Sequence, residues 1–180
     1  MTSVVLFSVL VAAVGLERVA ELVVSRRNAA WSMARGGVET GRRHYRVMVV
    51  LHTGLLVGAL VEVWIRHPTL LPLLAASMFV LVLASQGLRW WCISTLGPRW
   101  NTRVIVVPGL PLVGSGPYRW LRHPNYVAVA VEGLALPLVH SAWITAAVFT
   151  VLNAVLLAVR IRVEDTALDA AAQRQREAAR

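Results

Sequence analysis

Long apolar windows constrain the fold of this chain more than any other feature. Crossing about 30 Å of hydrocarbon takes about 20 helical residues, and windows of that size run from about Ser3 to Val24, His44 to Ile65 and Thr69 to Ile93. Of the 180 residues, 57% are apolar and 15% charged, more apolar surface than a soluble domain of this length buries. The sequence therefore predicts an all-α integral membrane protein and excludes a disordered chain.

Two further apolar runs, Tyr126 to Val139 and Trp143 to Val159, are separated by a short His140-Ser141-Ala142 turn. The first run is only 14 residues long and contains Glu132 and Pro137. It is short for an independent span. We therefore predict a helical hairpin whose first arm tilts or reaches less deep, and about five transmembrane helices in all. The tail from Val163 to Arg180 should continue the last helix out of the membrane.

Glycines and prolines are dense between residues 94 and 116, at a frequency that no continuous helix tolerates. We predict a loop there. Within it, the apolar run 103–107 could be extended, but an isolated strand could not satisfy its backbone in lipid. The loop should therefore lie at the membrane interface or be covered by protein. Without an internal repeat or a linker, residues 1–180 are expected to form a single domain.

The charges follow a membrane-orientation pattern. The net charge is +9, and all 18 basic residues are Arg. Sixteen of them fall on one side of the five-helix arrangement, Arg66 falls on the other, and Arg18 lies within the first helix. By the positive-inside rule, this predicts a multi-pass cell-membrane protein with its N-terminus outside and its C-terminus cytoplasmic. Because the Arg residues flank apolar segments and form no stripe, a nucleic-acid module is excluded. One Cys and five scattered His show no metal-ligand spacing, so no metal is expected.

The densest functional pattern is the segment Gly114-Ser-Gly-Pro-Tyr-Arg-Trp-Leu-Arg-His-Pro-Asn-Tyr126, just before the fourth apolar run. Glycines let backbone N–H groups approach a ligand closely, and a helix start adds a positive dipole end. The segment therefore suits a carboxylate or hydroxyl groups. The alternative is a structural turn anchored by interfacial aromatic residues.

A second pattern lies at the end of the fifth run. At about 100° per residue, Asn153, Arg160 and Glu164 fall within roughly 40° of one another. This makes a polar stripe on an otherwise apolar helix, and such a stripe should face something polar. The alternative is an i,i+4 ion pair where the helix leaves the membrane.

Together the two patterns resemble the isoprenylcysteine carboxyl methyltransferase family, whose hallmark is Arg-His-Pro-x-Tyr followed some tens of residues later by an acidic pair. Here Arg122-His-Pro-Asn-Tyr126 is followed by Glu164-Asp165, with Asp as the second acid. The signature covers roughly residues 114–168. The rest of the chain, including Leu88-Arg-Trp-Trp91 and Leu96-Gly-Pro-Arg-Trp-Asn101, is similar to a bacterial branch associated with alkylpyrone-forming type III polyketide synthases.

This resemblance implies S-adenosylmethionine as methyl donor, held in a cytoplasmic pocket, and a lipophilic small-molecule acceptor entering from the bilayer lipid. The branch implies O-methylation of a long-chain alkylpyrone; a prenylcysteine carboxylate or a phospholipid amine are the alternative acceptors. The motif positions imply the following cofactor-binding residues: Gly116, Tyr118, His123, Tyr126, Arg160 and Glu164.

Two further residues are candidates for catalytic contact with the acceptor. Arg122 could steer an anionic oxygen, although an Arg at this interface also suits a headgroup contact. Glu132 could touch the acceptor or a packing partner, because acids inside apolar windows are costly and tend to be functional. No general base is named.

The remaining polar residues of the apolar windows invite simpler interpretations. Glu17 and Glu21 beside Arg18 favour a structural cluster, and Glu62 should be hydrated near the outer boundary. His52 is expected to make interfacial hydrogen bonds. The rival function from another class is a small transporter that uses its buried Glu residues for proton or cation coupling. The sequence assigns no oligomeric state.

Overall fold

The protein is described by a computed structural model that covers residues 1–178, without the side chains of Arg43, Gln175 and Ala178. The last two residues of the predicted tail, including Arg180, lie outside this range. Five helices dominate: α1 (Thr2–Met33), α2 (Arg42–Arg66), α3 (Pro72–Leu96), α4 (Pro124–Leu138) and α5 (Trp143–Ala178). Two short strands, β1 (Val38–Thr40) and β2 (Val104–Val106), and two 3-10 turns, Gly97–Arg99 and Gly116–Arg119, complete the chain.

The long helices have the length and composition of membrane spans. Within the described residues, four segments meet both criteria: Thr2–Met33, His44–Arg66, Pro72–Arg99 and Trp143–Arg174. Helix α4 has 15 residues, which gives it a length of about 22 Å. The protein is therefore a multi-pass membrane protein with four helices of full spanning length and one shorter arm, which forms the predicted hairpin with α5.

Successive helices run in opposite directions, so their ends meet in two layers. At one layer, which we name the turn end, Ser3 lies 3.3 Å from His140 and Glu62 bonds to the first turn of α5. The turn end holds residues 1–3, 67–71 and 139–142. The opposite layer, the motif end, holds residues 34–41 and 97–123 and the second half of α5. The signature segment is thus at the opposite end of the bundle from the N-terminus.

The turn end corrects one expectation. Glu62 was expected to be hydrated, but its side chain is buried and accepts hydrogen bonds from the backbone N–H groups of Ile144 (3.0 Å) and Thr145 (2.7 Å). Helix N-termini leave such N–H groups unpaired and attract negative charge. Glu62 of α2 therefore caps α5 from a neighbouring helix.

Helix α1 extends nine residues beyond its predicted end at Val24, because its last turns bind the long loop. The Ser25 hydroxyl donates to Asn101 (2.9 Å), and the Asn28 amide donates to the carbonyls of Gly97 (3.2 Å) and Trp100 (2.8 Å). These bonds fix residues 97–102 against α1. The predicted loop is therefore covered by protein at the motif end.

The expectation of a purely α-helical fold needs one correction. Strands β1 and β2 pair antiparallel, with Glu39 opposite Ile105. Residues 103–107 were expected to be unable to satisfy an isolated strand's backbone, and β1 provides the missing partner. The fold is mainly helical, with a two-stranded ribbon at the motif end.

Helices α4 and α5 approach closely at Gly133. A Cβ atom at this position would overlap the ring of Phe149, whose side chain is buried on α5. The hairpin therefore requires a glycine here, and the contact fixes how the two helices sit against each other.

Replacing Gly133 with Ala should destabilise the protein by about 1–3 kcal/mol, because the added methyl overpacks the α4–α5 contact. Denaturant unfolding in detergent measures this. Gly54→Ala on α2 is the matched control, because a Cβ there meets nothing within 4 Å. Equal unfolding free energies for the two variants would contradict this account of the hairpin.

Candidate functional site

One large cavity runs along the inside of the helical bundle. It encloses about 1390 Å³ of empty space, including the part open to solvent, and all five helices and the loop 96–106 contribute to its wall. At the motif end its lining is polar, with His123, Arg160 and Glu164. Further inside, the wall is mainly apolar, for example at Leu56 and Leu156. The cavity therefore joins a charged mouth to an apolar interior.

The two halves of the signature meet at the polar end of this cavity. The His123 Nδ1 atom lies 3.8 Å from Glu164 Oε1, and the Tyr126 hydroxyl donates to the Glu164 carboxylate. The rings of His123 and Tyr126 stack, with centroids 5.4 Å apart. The start of α4 and the far part of α5 thus place both predicted motifs in one site.

Arg160 is buried beside this pair. Its guanidinium donates to the carbonyl of Thr102 (2.9 Å) and lies 5.8 Å from the centre of the Tyr126 ring. Asn153, Arg160 and Glu164 all line the cavity. The polar stripe on α5 therefore faces the cavity, as its spacing predicts.

Tyr118 and Gly116 have different roles from each other. Tyr118 lines the cavity, and burial raises the pKa of its phenol well above the usual range, so it stays protonated as a hydrogen-bond donor. Gly116, predicted to line the pocket with its backbone, packs against α3 instead. Its φ is 56°, and a Cβ would overlap the Thr95 side chain and lie 3.2 Å from Trp91 Nε1. Gly116 thus permits the close approach to α3 that positions Tyr118.

Arg122, predicted either to steer the acceptor or to contact a lipid headgroup, is not among the residues that line the cavity. Its side chain is 55% exposed and pairs with Asp165 and Asp169 of α5, each at 2.7 Å. Asp165 also accepts from His123 Nε2 at 2.9 Å. The second acid of the signature therefore orients the His123 ring, while Arg122 fastens the segment before α4 to α5.

Glu132 belongs to a buried ion-pair cluster formed by Arg18, Glu21, Arg89 and Glu132. Its carboxylate lies 2.9 Å from Arg18 and 2.7 Å from Arg89. Glu21 completes the ring, 2.5 Å from Arg18 and 3.5 Å from Arg89. Arg18, Glu21 and Arg89 line the cavity, whereas Glu132 pairs with the two arginines without being a lining residue itself. Of the two roles predicted for Glu132, contact with the acceptor or with a packing partner, the structure shows packing partners, and the predicted structural cluster around Arg18 is present.

Sequence reasoning missed the part of the wall that comes from the long loop and α2. Trp100, Asn101 and Arg103 line the cavity, as do Met48 and His52. Trp100 and Asn101 belong to a stretch that resembles the bacterial branch, but the resemblance assigned them no role. Met48 and His52 lie within an apolar window, where no pattern distinguishes a cavity-lining residue from one that faces a neighbouring helix or lipid.

Several buried polar atoms of the cavity-lining residues have no hydrogen-bond partner within the described chain. They are Trp100 Nε1, Asn101 Nδ2, Asn125 Oδ1 and Asn153 Oδ1. Buried polar groups are nearly always paired, so unpaired ones at a cavity indicate a polar ligand. Two of these atoms donate hydrogen bonds and two accept them. Together with the Arg160 guanidinium and the Glu164 carboxylate, they suit a ligand that carries charges of both signs and several hydrogen-bonding groups.

The sequence match agrees with this geometry. Residues 75–170, slightly more than half of the chain, match the family described as isoprenylcysteine carboxyl methyltransferase (ICMT). The chain belongs to this family. Its members are membrane-embedded methyltransferases, and the matched region contains α4, most of α3 and the signature part of α5. Helices α1 and α2 lie outside it but still contribute Arg18 and His52 to the cavity.

Two relatives extend the likeness over most of the chain. The "Uncharacterized protein YpbQ" of Bacillus subtilis is 39% identical over 165 residues, covering 91% of this chain and 96% of that protein. An "Uncharacterized protein" of Haemophilus influenzae is 25% identical over 148 residues, covering 82% and 86%. No solved structure matches the chain. The likeness to the Bacillus subtilis protein therefore extends beyond the family-matched residues into the first two helices.

The ion-pair cluster generates a stability prediction. Glu132→Ala should destabilise the protein by about 3–5 kcal/mol, because Arg18 and Arg89 are left as buried charges with too few partners. Asp169→Asn removes an exposed ion pair to Arg122 and should change stability little. Denaturant unfolding in detergent compares the two, and a loss for Glu132→Ala no larger than for Asp169→Asn would refute the role given to the cluster.

Proposed function

We propose that this ICMT-family protein is an S-adenosylmethionine-dependent O-methyltransferase of the cell membrane, acting on a lipophilic acceptor. The observation that carries the proposal is the single cavity that holds both signature motifs at its polar end and continues between apolar helix walls. A charged methyl donor needs polar surroundings and a lipophilic acceptor needs apolar ones. One cavity can bind both only if it has a polar part and an apolar part.

The polar end fits the donor chemically. Arg160 provides a guanidinium, which binds carboxylates with two parallel hydrogen bonds, and Glu164 provides a carboxylate for an ammonium or for ribose hydroxyls. His123, Tyr118 and Tyr126 add ring faces and hydrogen-bonding groups. The unpaired side-chain atoms of Trp100, Asn101 and Asn125 would form hydrogen bonds with the remaining polar groups of the donor. When bound, the donor supplies a methyl group made electrophilic by a positively charged sulfur.

The protein's own contribution is alignment and exclusion of water. Methyl transfer is an in-line displacement, so positioning the acceptor oxygen and removing solvent supply most of the required acceleration. The apolar walls, including Leu56, Val129 and Leu156, would exclude water around the reacting atoms. An acceptor with a long alkyl chain would occupy this interior while its oxygen reaches toward the polar end.

The membrane orientation is part of the proposal. The motif end carries nearly all arginines of the described residues, and Arg66 ends α2 at the turn end. By the positive-inside rule, the motif end and the donor site face the cytoplasm and the N-terminus faces outward. This orientation requires α4 to bring the chain across as a fifth, shorter crossing, and the antiparallel α4–α5 hairpin supports that path.

The donor site predicts the effect of Glu164. Glu164→Gln in purified protein should weaken S-adenosylmethionine binding about 10- to 100-fold, because a charge-assisted hydrogen bond is worth about 1.5–3 kcal/mol. Calorimetric titration measures the affinity. Glu177→Gln, an exposed acid farther along α5, is the control and should bind normally. An unchanged affinity for Glu164→Gln would remove this residue from the donor site.

The acceptor is tested separately. Membranes containing the protein should transfer labelled methyl from S-adenosylmethionine to a long-chain hydroxypyrone, giving an O-methyl product identified by chromatography and mass. A prenylcysteine and a phospholipid amine serve as the competing acceptors. Label found only in the prenylcysteine ester or in the phospholipid would overturn the preferred acceptor and leave the methyl donor in place.

A further inference from the structure

His52 makes a hydrogen bond that identifies which of its ring nitrogens carries a hydrogen. It lies on α2, and its Nδ1 atom is 2.8 Å from the carbonyl oxygen of Met48. A carbonyl only accepts hydrogen bonds, so Nδ1 carries a hydrogen, and the ring in its neutral form presents a lone pair at Nε2. The ring packs at a steep angle against the Phe149 ring of α5, with centroids 5.4 Å apart. This arrangement leaves Nε2 as the ring nitrogen that can take up a proton.

His52 occupies the inner part of the cavity, beyond the charged end. Met48, one turn earlier on α2, contacts the proposed donor-binding residue Arg160 at 3.2 Å. His52 therefore lies one helical turn deeper in the bundle than this contact. On α5, Asn153 precedes Arg160 by seven residues, which is about 10 Å farther from the motif end. Both His52 and Asn153 line the cavity. Asn153 is 2% exposed and its amide oxygen has no partner within the described chain.

The other titratable groups on this part of the wall are already paired. These lining groups are Arg18 and Glu21 of α1 and Arg89 of α3. All three belong to the ion-pair cluster that Glu132 of α4 completes. His52 is thus a titratable side chain on the inner part of the wall that lies outside the ion-pair cluster, and Asn153 contributes a buried amide oxygen without a partner in the described chain to the same cavity.

We propose that His52 Nε2 is the general base of the reaction and that the acceptor is a lipophilic enol or phenol. This inference rests on the proposed function. The acceptor oxygen forms a bond to the methyl carbon, the carbon–sulfur bond breaks, and its electron pair stays on sulfur, which becomes a neutral thioether. The hydroxyl proton passes to Nε2, giving an imidazolium that later releases the proton to water at the cavity mouth.

The environment explains why a base is needed even for an acidic hydroxyl. A molecule that enters from hydrocarbon arrives in its neutral form, because an anion there is strongly disfavoured. Its proton must then be removed inside the site. Imidazole is suited to this transfer near neutral pH. A carboxylic acid loses its proton far more readily than a phenol and depends less on a base, so the lone pair at Nε2 favours a hydroxyl-bearing substrate class.

The test uses the full-length protein in lipid nanodiscs, with labelled S-adenosylmethionine and single-turnover methyl transfer to a long-chain hydroxypyrone and to a less acidic long-chain alkylphenol. His52→Gln keeps a hydrogen-bonding group but cannot take up the proton. It should slow transfer to the phenol about 100-fold or more, slow transfer to the pyrone less, and leave donor affinity within about twofold. His44→Gln on the same helix is the matched control and should transfer at the rate of the unchanged protein.

A second variant distinguishes loss of the general base from misfolding. His52→Asn can still donate to the Met48 carbonyl, so it should keep the unfolding temperature of the unchanged protein and lose transfer in the same acceptor-dependent way. Unaltered rates in both His52 variants, or an equal loss for phenol and pyrone, would overturn the inference. So would transfer by the unchanged protein to a prenylcysteine carboxylate alone. If the unchanged protein binds no S-adenosylmethionine, the proposed function itself fails, which calorimetry distinguishes from the failure of His52.

Discussion

The ion-pair cluster of Arg18, Glu21, Arg89 and Glu132 is the interaction on which the rest of the architecture depends. It joins α1, α3 and α4 inside an apolar bundle, with the Glu132 carboxylate between two guanidiniums at 2.7 and 2.9 Å. Separating such charges in a medium that cannot solvate them is costly, so these helices have one favoured register. That register sets the depth at which α4 begins, and with it the position of the signature segment beside α5.

A second constraint comes from the backbone of the long loop. Polar backbone groups near hydrocarbon need partners within the protein, and the loop finds them on elements far away in sequence: Ser25 and Asn28 on α1 and the strand Val38–Thr40. These bonds fix the loop over the motif end of the cavity. The first two helices and the ribbon after α1 therefore complete a cavity whose signature residues all lie in the family-matched part of the chain.

Local sequence patterns predicted the features that depend on residues close together in the chain, namely helix positions and helix faces. Hydropathy located the helices to within a few residues except at the end of α1, and helical periodicity placed Asn153, Arg160 and Glu164 on one face. The roles of Glu62 and Glu132 could not be predicted, because a buried acid signals only that some partner exists. Glu132 pairs with Arg18 across 114 positions, and Glu62 caps a helix 82 positions away. Only the packed bundle specifies such partners, and the same holds for the three-residue strand at 38–40, which is too short to carry a period.

The polar and apolar parts of the cavity indicate where each reactant of the proposed reaction would bind. Charged and ring-stacked groups lie at the motif end. Beyond Arg160 the wall is mainly apolar, apart from the mutually paired Arg18, Glu21 and Arg89 and from isolated hydrogen-bonding groups such as His52 and Asn153. A charged donor entering from water would stop at the charged groups outside that ion-pair cluster, and an apolar acceptor entering from lipid would stop where its polar head finds the isolated groups. Their reacting atoms would meet near Tyr126, whose ring is stacked on His123 and faces the Arg160 guanidinium. Because each reactant is stopped by its own solvation requirement, this chain can bring the two together without a lid or a large conformational change.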